Sequence, residues 1–335
     1  MKARMLESNN KKEKVVIFGG TGFIGSHITK LLLKEGYDIT CVSNDQYVKE
    51  NKYIEGALFR FADLNKLSQE DLEKLLSGYD YFIFAAGVDD RYVPKAPALE
   101  FFRKANVETT LKITKAAKKV GVKKGIIISS YFTYFARKEP QLAEHHPYIK
   151  ARLEQEDEAM KLANNDFSVV ILQLPYVIGA VKGKKPLFKP LVKYLHLPGP
   201  TLFMKGGTAI VTVKQIAKAT RGALRESIGS KIYPVASKNM TWDEFIKAIN
   251  PKKKKIIHIP KFLIQIFAFV VDTLHKLKGK EGGLKLIKYV EMQTKELFLD
   301  LEDSKELFDS EDGEIEDAFE DMVNESLQTW SASFD

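Results

Sequence analysis

The chain has 335 residues, 44% of them hydrophobic, a formal net charge of +8 and a single cysteine, Cys41. That length can bury a large core and leaves room for two lobes. One cysteine excludes a disulfide framework and a thiolate metal site and fits a reducing, cytoplasmic compartment, with Cys41 itself a small core residue. Of the 52 basic and 44 acidic residues, the last stretch, Glu291–Asp335, holds 2 and 16, which leaves 50 against 28 elsewhere. No nucleic-acid motif accompanies this basic body, so it reads as a lysine-coated surface beside an acidic C-terminal region, without nucleic acid as a partner.

Residues 1–13 are polar and lysine-rich, lack the apolar run of a signal peptide, and read as a flexible leader. Val15–Phe18 is an apolar run that enters Gly19-x-x-Gly22-x-x-Gly25, and Ile28, Leu31, Leu32 and Leu33 follow at helical spacing. This is a buried strand, a tight turn and an amphipathic helix, the arrangement in which a helix N-terminus receives a diphosphate. Tyr37–Val42 is a second strand, followed by Ser43, Asn44 and Asp45. An acid at this strand end would bind a ribose 2′-hydroxyl, whereas small polar residues admit a 2′-phosphate. Ser43 stands where the acid is expected, with Lys49 and Lys52 nearby, and tilts the reading towards NADP over NAD, although Asp45 could bend back to a hydroxyl.

Leu58–Phe61 is a third strand, ending at Asp63-Leu64, and Ser68–Leu76 is a charged helix. Tyr79–Ala86 is a fourth strand; its end, Ala85-Ala86-Gly87, suits either close passage of a cofactor or tight packing. Pro94 and Pro97 mark a loop before one long helix, Leu99–Val120, which carries Asn106 and is capped by Gly121. Gly125–Ser130 is a fifth strand with two hydroxyls at its carboxyl end, where ligands of open α/β sheets bind. Pro147 opens a helix with Tyr148 and Arg152, and Ser168–Leu174 is a further strand that ends in Pro175-Tyr176-Val177-Ile178-Gly179. Strands alternating with helices imply a parallel sheet covered on both faces. After Gly179 the pattern loosens into a strand at Ala209–Val213, a helix to Leu224, a strand near 231–236 and a capping box at Thr241. Phe262–Val271 is strongly apolar but too short to span a bilayer. It reads as a helix covering the substrate cleft, or as a weak membrane-surface contact through 252–280.

These pieces together resemble the extended short-chain dehydrogenase/reductases of the NAD-dependent epimerase/dehydratase type. The matching stretches are Gly19 through Gly25, Asp63-Leu64, Ala85 through Gly87, Asn106-Val107 with Thr109, Ser129-Ser130, Tyr148, and Pro175 through Gly179. The resemblance implies a Rossmann, doubly wound α/β domain over 14–178, to which the 231–236 strand returns, and a smaller mixed substrate lobe over 179–335. It implies a homodimer paired through the helices at 99–120 and 148–163. Gly19, Thr21, Gly22, Phe23, Ile24 and Gly25 would hold the cofactor diphosphate, Ser43 and Asn44 the ribose, and Asp63 and Leu64 the adenine. Ala85, Ala86, Gly87 and Ser129 would line the cofactor, with Pro175, Tyr176 and Val177 at its nicotinamide end. Ser130, Tyr148, Arg152 and Asn106 would form the catalytic set, with Tyr148 as acid/base and also in contact with the cofactor.

The family has lysine four residues after the tyrosine, where this chain has Arg152. Lys150 cannot replace it, because i and i+2 do not share a helix face. A tyrosine needs a nearby positive charge to act as a base near neutral pH, and Arg152 either supplies it and reaches the ribose or forms a surface pair with Glu156. A second departure is Gln215 in place of an acid. His145 and His146 read as loop residues, and no metal site is expected. The leading expectation is an oxidoreductase moving hydride between NAD(P) and a small carbinol or carbonyl substrate. The alternatives are a nucleotide-sugar epimerase/dehydratase and a catalytically weak NADP(H)-binding sensor.

Overall fold

The structure is a computed structural model that describes residues 12–44, 54–182, 184, 186–250, 252 and 255–331. The leader through residue 11, and Asp45, Lys49 and Lys52, lie outside the described residues. In chain order the first half runs β1 (Lys14–Phe18), α1 (Phe23–Lys34), β2 (Asp38–Ser43), β3 (Leu58–Phe61), α2 (Gln69–Leu76), β4 (Tyr81–Phe84) and α3 (Ala98–Phe102). A π-helical stretch, Arg103–Glu108, leads into α4 (Thr109–Lys119), β5 (Lys124–Ser130), α5 (Phe132–Lys138), α6 (Gln141–His145), α7 (Pro147–Met160), β6 (Ser168–Leu174) and β7 (Tyr176–Ile178). The second half adds α8 (Lys189–Leu195), β8 (Thr201–Phe203), β9 (Gly207–Thr212), α9 (Val213–Leu224), β10 (Lys231–Pro234), β11 (Lys238–Thr241) and α10 (Trp242–Ile249). It closes with β12 (Ile256–His258), α11 (Lys261–Leu277), α12 (Leu286–Gln293), β13 (Glu296–Leu297), α13 (Glu302–Lys305) and α14 (Glu314–Ser331).

Seven parallel strands form one sheet in the order β10-β6-β5-β4-β1-β2-β3. Side chains alternate along each strand, so one sequence feeds two apolar layers. Val15 and Ile17 pack with Ile28 and Leu32 of α1 and Ile216 of α9 on one face. Val16 and Phe18 pack with Leu72 of α2, Ile113 of α4 and Ala159 of α7 on the other. This is the doubly wound Rossmann arrangement.

A second, mixed sheet runs β11-β9-β13, with β7 also on β9, and a short ribbon pairs β8 with β12. Around it, Trp242 and Phe245 of α10 and Phe319 of α14 form an aromatic cluster. The chain does not leave the first sheet for good after Gly179. Besides α9 and β10, Leu307 and Phe308 of the acidic region enter the same core layer as Val15. Glu306 accepts hydrogen bonds from Tyr233 (2.8 Å) and Lys231 (2.9 Å). The acidic segment therefore meets basic residues of the body directly.

Three local features depart from the sequence reading. The single helix expected over 99–120 contains the π-helical stretch, whose Lys104 carbonyl accepts from the Thr109 hydroxyl and whose Asn106 carbonyl accepts from Gln155. Side chains thus take over carbonyls that a regular helix would satisfy internally. Of the two histidines read as loop residues, His145 ends α6, whereas His146 is the single residue between α6 and α7; it is fully buried at the N-cap of α7, and its Nδ1 accepts from the Lys285 backbone N–H (3.0 Å). The apolar run at 262–271 does not bury itself over a cleft. Within α11 only Ala268 is buried, and the large apolar side chains face outward.

Candidate active site

The sheet order reverses between β1 and β4, and the chain leaving β1 turns at that crevice. Gly19 has φ +82°, and a Cβ there would lie 2.8 Å from the Ala85 carbonyl oxygen, so the turn admits glycine alone. Gly22 is the N-cap of α1, and no side chain caps that end. The first-turn N–H groups, with the helix dipole behind them, are therefore presented to an anion. A Cβ on Gly25 would lie 2.1 Å from the Gly19 oxygen, so this glycine lets the helix lie against the glycine turn itself. Phe23 and Ile24 pack their side chains on the core and offer only backbone here.

At the end of β2, Thr21 donates to the Ser43 hydroxyl (3.3 Å), with Asn44 exposed beyond it. Lys184, which the sequence reading passed over, donates to the Thr21 carbonyl. Asp63 turns its carboxylate to the Asn65 N–H (3.1 Å) and to Lys66 (3.5 Å). Leu64 packs on the core.

The other side of the crevice is built around Tyr148, which is 3% exposed. Its ring meets Phe102 edge-on at 5.4 Å, and the Arg152 guanidinium lies 5.6 Å from its centre. Burial pushes the phenol above its usual pKa; Arg152 pulls it down, the Asp90 carboxylate pushes it up, and a hydrogen bond with the Ser130 hydroxyl pulls it down again. Arg152 is buried and donates from Nη1 to Gln155 Oε1 (2.7 Å) and from Nη2 to the Ile128 carbonyl (3.1 Å), while its Nε has no partner. A Cβ on Gly87 would stand 3.0 Å from Arg152 Nη1 and 3.1 Å from Asn106 Oδ1. The small residue just past this strand thus leaves room for Arg152 and Asn106 to approach closely. Asn106, fully buried, accepts from the Val88 N–H (2.8 Å) and donates to the Val88 carbonyl (3.0 Å). It clamps the loop after β4 and spends its amide doing so.

Several expected roles change. The surface pair Arg152–Glu156 does not form. Glu156 is buried and accepts from Ser129, Thr133 and Gln173, with Arg137 as its ionic partner at 2.9 Å. Ser129 accordingly turns its hydroxyl away from Ser130, as adjacent strand residues must, and does not present it to a cofactor. Tyr176, on β7 of the second sheet, packs against α12: its hydroxyl sits between Tyr289 (2.7 Å) and Gln293 (3.0 Å), and its ring stacks on Phe188. Pro175 is buried, and Val177 packs in the core of the main sheet. Gln215 completes a capping box with Thr212 and donates to Glu314 (3.2 Å), a contact between α9 and α14.

Two further features escaped the sequence reading. Asp90, two residues beyond the clamped Val88, is partly exposed; burial, then the neighbouring Asp89, raises its pKa to about 6. Its carboxylate also pushes up the phenols of Tyr131, Tyr176 and Tyr289. Its only sequence signal is an acidic pair just after Ala85-Ala86-Gly87. The second is a strap from the C-terminal half. Gly279 accepts from the Ala96 N–H, Glu281 donates to the Pro94 carbonyl and accepts from the Ala98 N–H (2.7 Å), and the Gly283 carbonyl accepts from the Tyr148 N–H (2.9 Å). Among the described residues no three His, Cys, Asp or Glu side chains group to hold a metal ion.

The model of the NAD dependent epimerase/dehydratase family matches residues 15–233. A UDP-N-acetyl-alpha-D-glucosaminuronate decarboxylase of Bacillus cytotoxicus is 22% identical over 273 residues, covering 74% of this chain and 84% of that protein. A UDP-glucose 4-epimerase of Bacillus subtilis is 26% identical over 181 residues, 50% of this chain; the chain spans about half of that relative's length, 53%. A solved UDP-glucose-4-epimerase from Stenotrophomonas maltophila, with bound NAD and formylated UDP-arabinopyranose, superposes with a TM-score of 0.69, 16% identity, and coverage of 96% of this chain and 99% of that one. At that identity the likeness is one of fold.

Proposed function

The chain belongs to the NAD dependent epimerase/dehydratase family, and from that premise we propose that it acts on the sugar of a nucleoside-diphosphate sugar, with the coenzyme seated at Gly22 and Tyr148 as the acid/base. The observation that carries this reading is the buried cluster of Ser130, Tyr148 and Arg152 beside Gly87, at the carboxyl edge of the sheet and across the crevice from the uncapped start of α1. The expected oxidoreductase of a small carbonyl compound gives way to the sugar-nucleotide reading because the relatives above are described as acting on UDP-sugars.

Gly19 and Gly22 allow the backbone to turn tightly into α1, whose first N–H groups no side chain caps, so the residues present fit the diphosphate of the coenzyme. When bound, it supplies the ring that accepts and returns hydride. The chain's own residues handle the proton. Ser130 and Tyr148 hold the reacting oxygen, and Tyr148 takes or gives the proton at that oxygen. An unperturbed phenol has a pKa of about 10, so a fixed positive charge is required to favour its ionised form. Arg152 provides that charge but does not give up a proton itself. Ser43 and Asn44 offer no carboxylate at the end of β2, which supports NADP over NAD. The family pattern supports a homodimer through α4 and α7.

The test is a panel of UDP-sugars incubated with the protein and either coenzyme, with products separated by mass. Conversion is expected, and Tyr148→Phe lowers it about 10²- to 10⁴-fold while coenzyme affinity stays nearly unchanged. Coenzyme binding without conversion of any sugar would favour the sensor reading, which the arginine motivates. Binding of neither coenzyme would overturn both. Tighter binding of NADPH than NADH tests the 2′-phosphate preference, and sedimentation velocity tests the dimer.

A further inference from the structure

α11 turns its larger apolar face away from the protein. At about 100° per residue, its outward arc spans roughly 160°. That arc carries large apolar side chains, Phe262, Ile266, Phe267, Phe269, Leu274 and Leu277 among them, all between 47% and 78% exposed. Its one polar member, Thr273, donates its hydroxyl back to the Phe269 carbonyl. The inward side holds the partnered polar groups among the smaller apolar surface of Ile264, Ala268 and Val271. Gln265 donates to Glu291 (3.4 Å), and Asp272 accepts from the Leu286 N–H (2.9 Å). Ordinary surface helices bury the apolar stripe and show water the polar one. An exposed contiguous stripe of this kind marks a surface that meets another apolar phase.

Charge says which phase. Lys261 stands at the start of the helix, and Lys276, Lys278 and Lys280 at its end, all exposed. Lys252 and Lys255, also exposed, precede it along the chain. The helix's one acid, Asp272, is used inside. An apolar face bracketed by cations at both ends complements an anionic interface whose interior is hydrocarbon. A second copy of this chain does not suit it: with lysines at both ends, parallel or antiparallel pairing of two such faces sets like charges together. The helix has 17 residues, about 25 Å, and among the described residues no helix is long and apolar enough to cross a membrane. It would therefore lie in the plane of the interface.

We propose that α11, with its flanking lysines, docks the protein onto the surface of an anionic phospholipid bilayer. The test is flotation of the full-length protein with phosphatidylcholine vesicles and with vesicles that also contain phosphatidylserine. Wild type is expected to float with the anionic vesicles only, and less so as salt is raised. Phe267→Ser with Leu274→Ser should lower flotation at least about tenfold, and Lys276→Glu with Lys278→Glu should lower it on the anionic vesicles. Unchanged circular dichroism and coenzyme binding confirm that these variants fold. Phe267→Trp, which keeps the apolar face, should shift its emission to the blue when anionic vesicles are added. Three results would overturn the proposal: no flotation at low salt, equal flotation of the Ser double variant, or a self-association abolished by that variant with no vesicle binding. The last would assign the face to a second copy. None of these readouts depends on turnover.

Discussion

The ionisation of Tyr148 is a contest between burial and Asp90 on one side and Arg152 and Ser130 on the other. Removing one contestant moves the balance in a known direction. Asp90→Asn deletes a negative charge, so the alkaline rise of activity should move to lower pH, whereas Arg152→Met should move it up; a shift of about one unit is the scale for a single nearby charge. Paired pH–rate profiles of the two variants check both signs, and a role for either residue in folding alone would move neither profile. Burial pushes the Asp90 carboxyl up to about 6, above an ordinary aspartate, so deprotonating it costs stability as pH rises, and Asp90→Asn should melt higher than wild type above pH 6, by a margin on the order of 1 kcal/mol. His146 has the opposite sense. Burial holds its pKa down to about 4, so the unfolded chain takes up a proton first as the pH falls. Stability present above pH 6.5 is lost between there and pH 4, on the order of 2 kcal/mol, and His146→Asn should flatten that acid limb in urea titrations. Tyr148 and Arg152 were legible as a pair through the resemblance to the family, which has a cation four residues after the tyrosine. Which way Arg152 turned was not, because i,i+4 spacing allows a Glu156 pair without requiring it, and Arg137 claims that carboxylate from a different helix.

At the scale of elements, the alternation of apolar runs with amphipathic stretches was enough to read β1 through β6 and the sheet they form, because each of these strands except the exposed edge strand β3 is buried on both faces. The π-helical stretch was invisible, since it depends on Gln155 arriving from α7 to take the Asn106 carbonyl. The short strands β7, β8 and β13, of two or three residues, are too brief to show any period. Two substitutions probe the elements that shape the crevice. Gly25→Ala drives a methyl to 2.1 Å from the Gly19 oxygen, a backbone atom that cannot swing aside; it should cost at least about 2 kcal/mol in a thermal melt and abolish coenzyme binding. Asn106→Leu leaves the Val88 N–H and carbonyl unpaired, at a cost of about 1–3 kcal/mol. Its coenzyme affinity should fall more than its melting temperature predicts, because the freed loop carries Gly87.

Across the whole molecule the chain crosses back to the first sheet long after the family-matched region ends. Leu307 and Phe308 join the core layer that β1, α9 and β10 share, and Glu306 pairs with the outermost strand, β10. A fragment ending at Pro234 should therefore lack a cooperative melt, although it retains every strand of the main sheet. This interleaving could not be read from the sequence, since neither composition nor periodicity records which distant residues share a layer. The strap at 279–285 carries a last consequence. The backbone N–H of Tyr148 hangs on a carbonyl that arrives only a few residues after the exposed lysines Lys278 and Lys280. A trypsin-like protease nicking the chain there would sever the tether while leaving the parallel sheet standing. The clipped protein should still capture dinucleotide yet turn over slowly, so limited digestion would uncouple possession of the cofactor from its use.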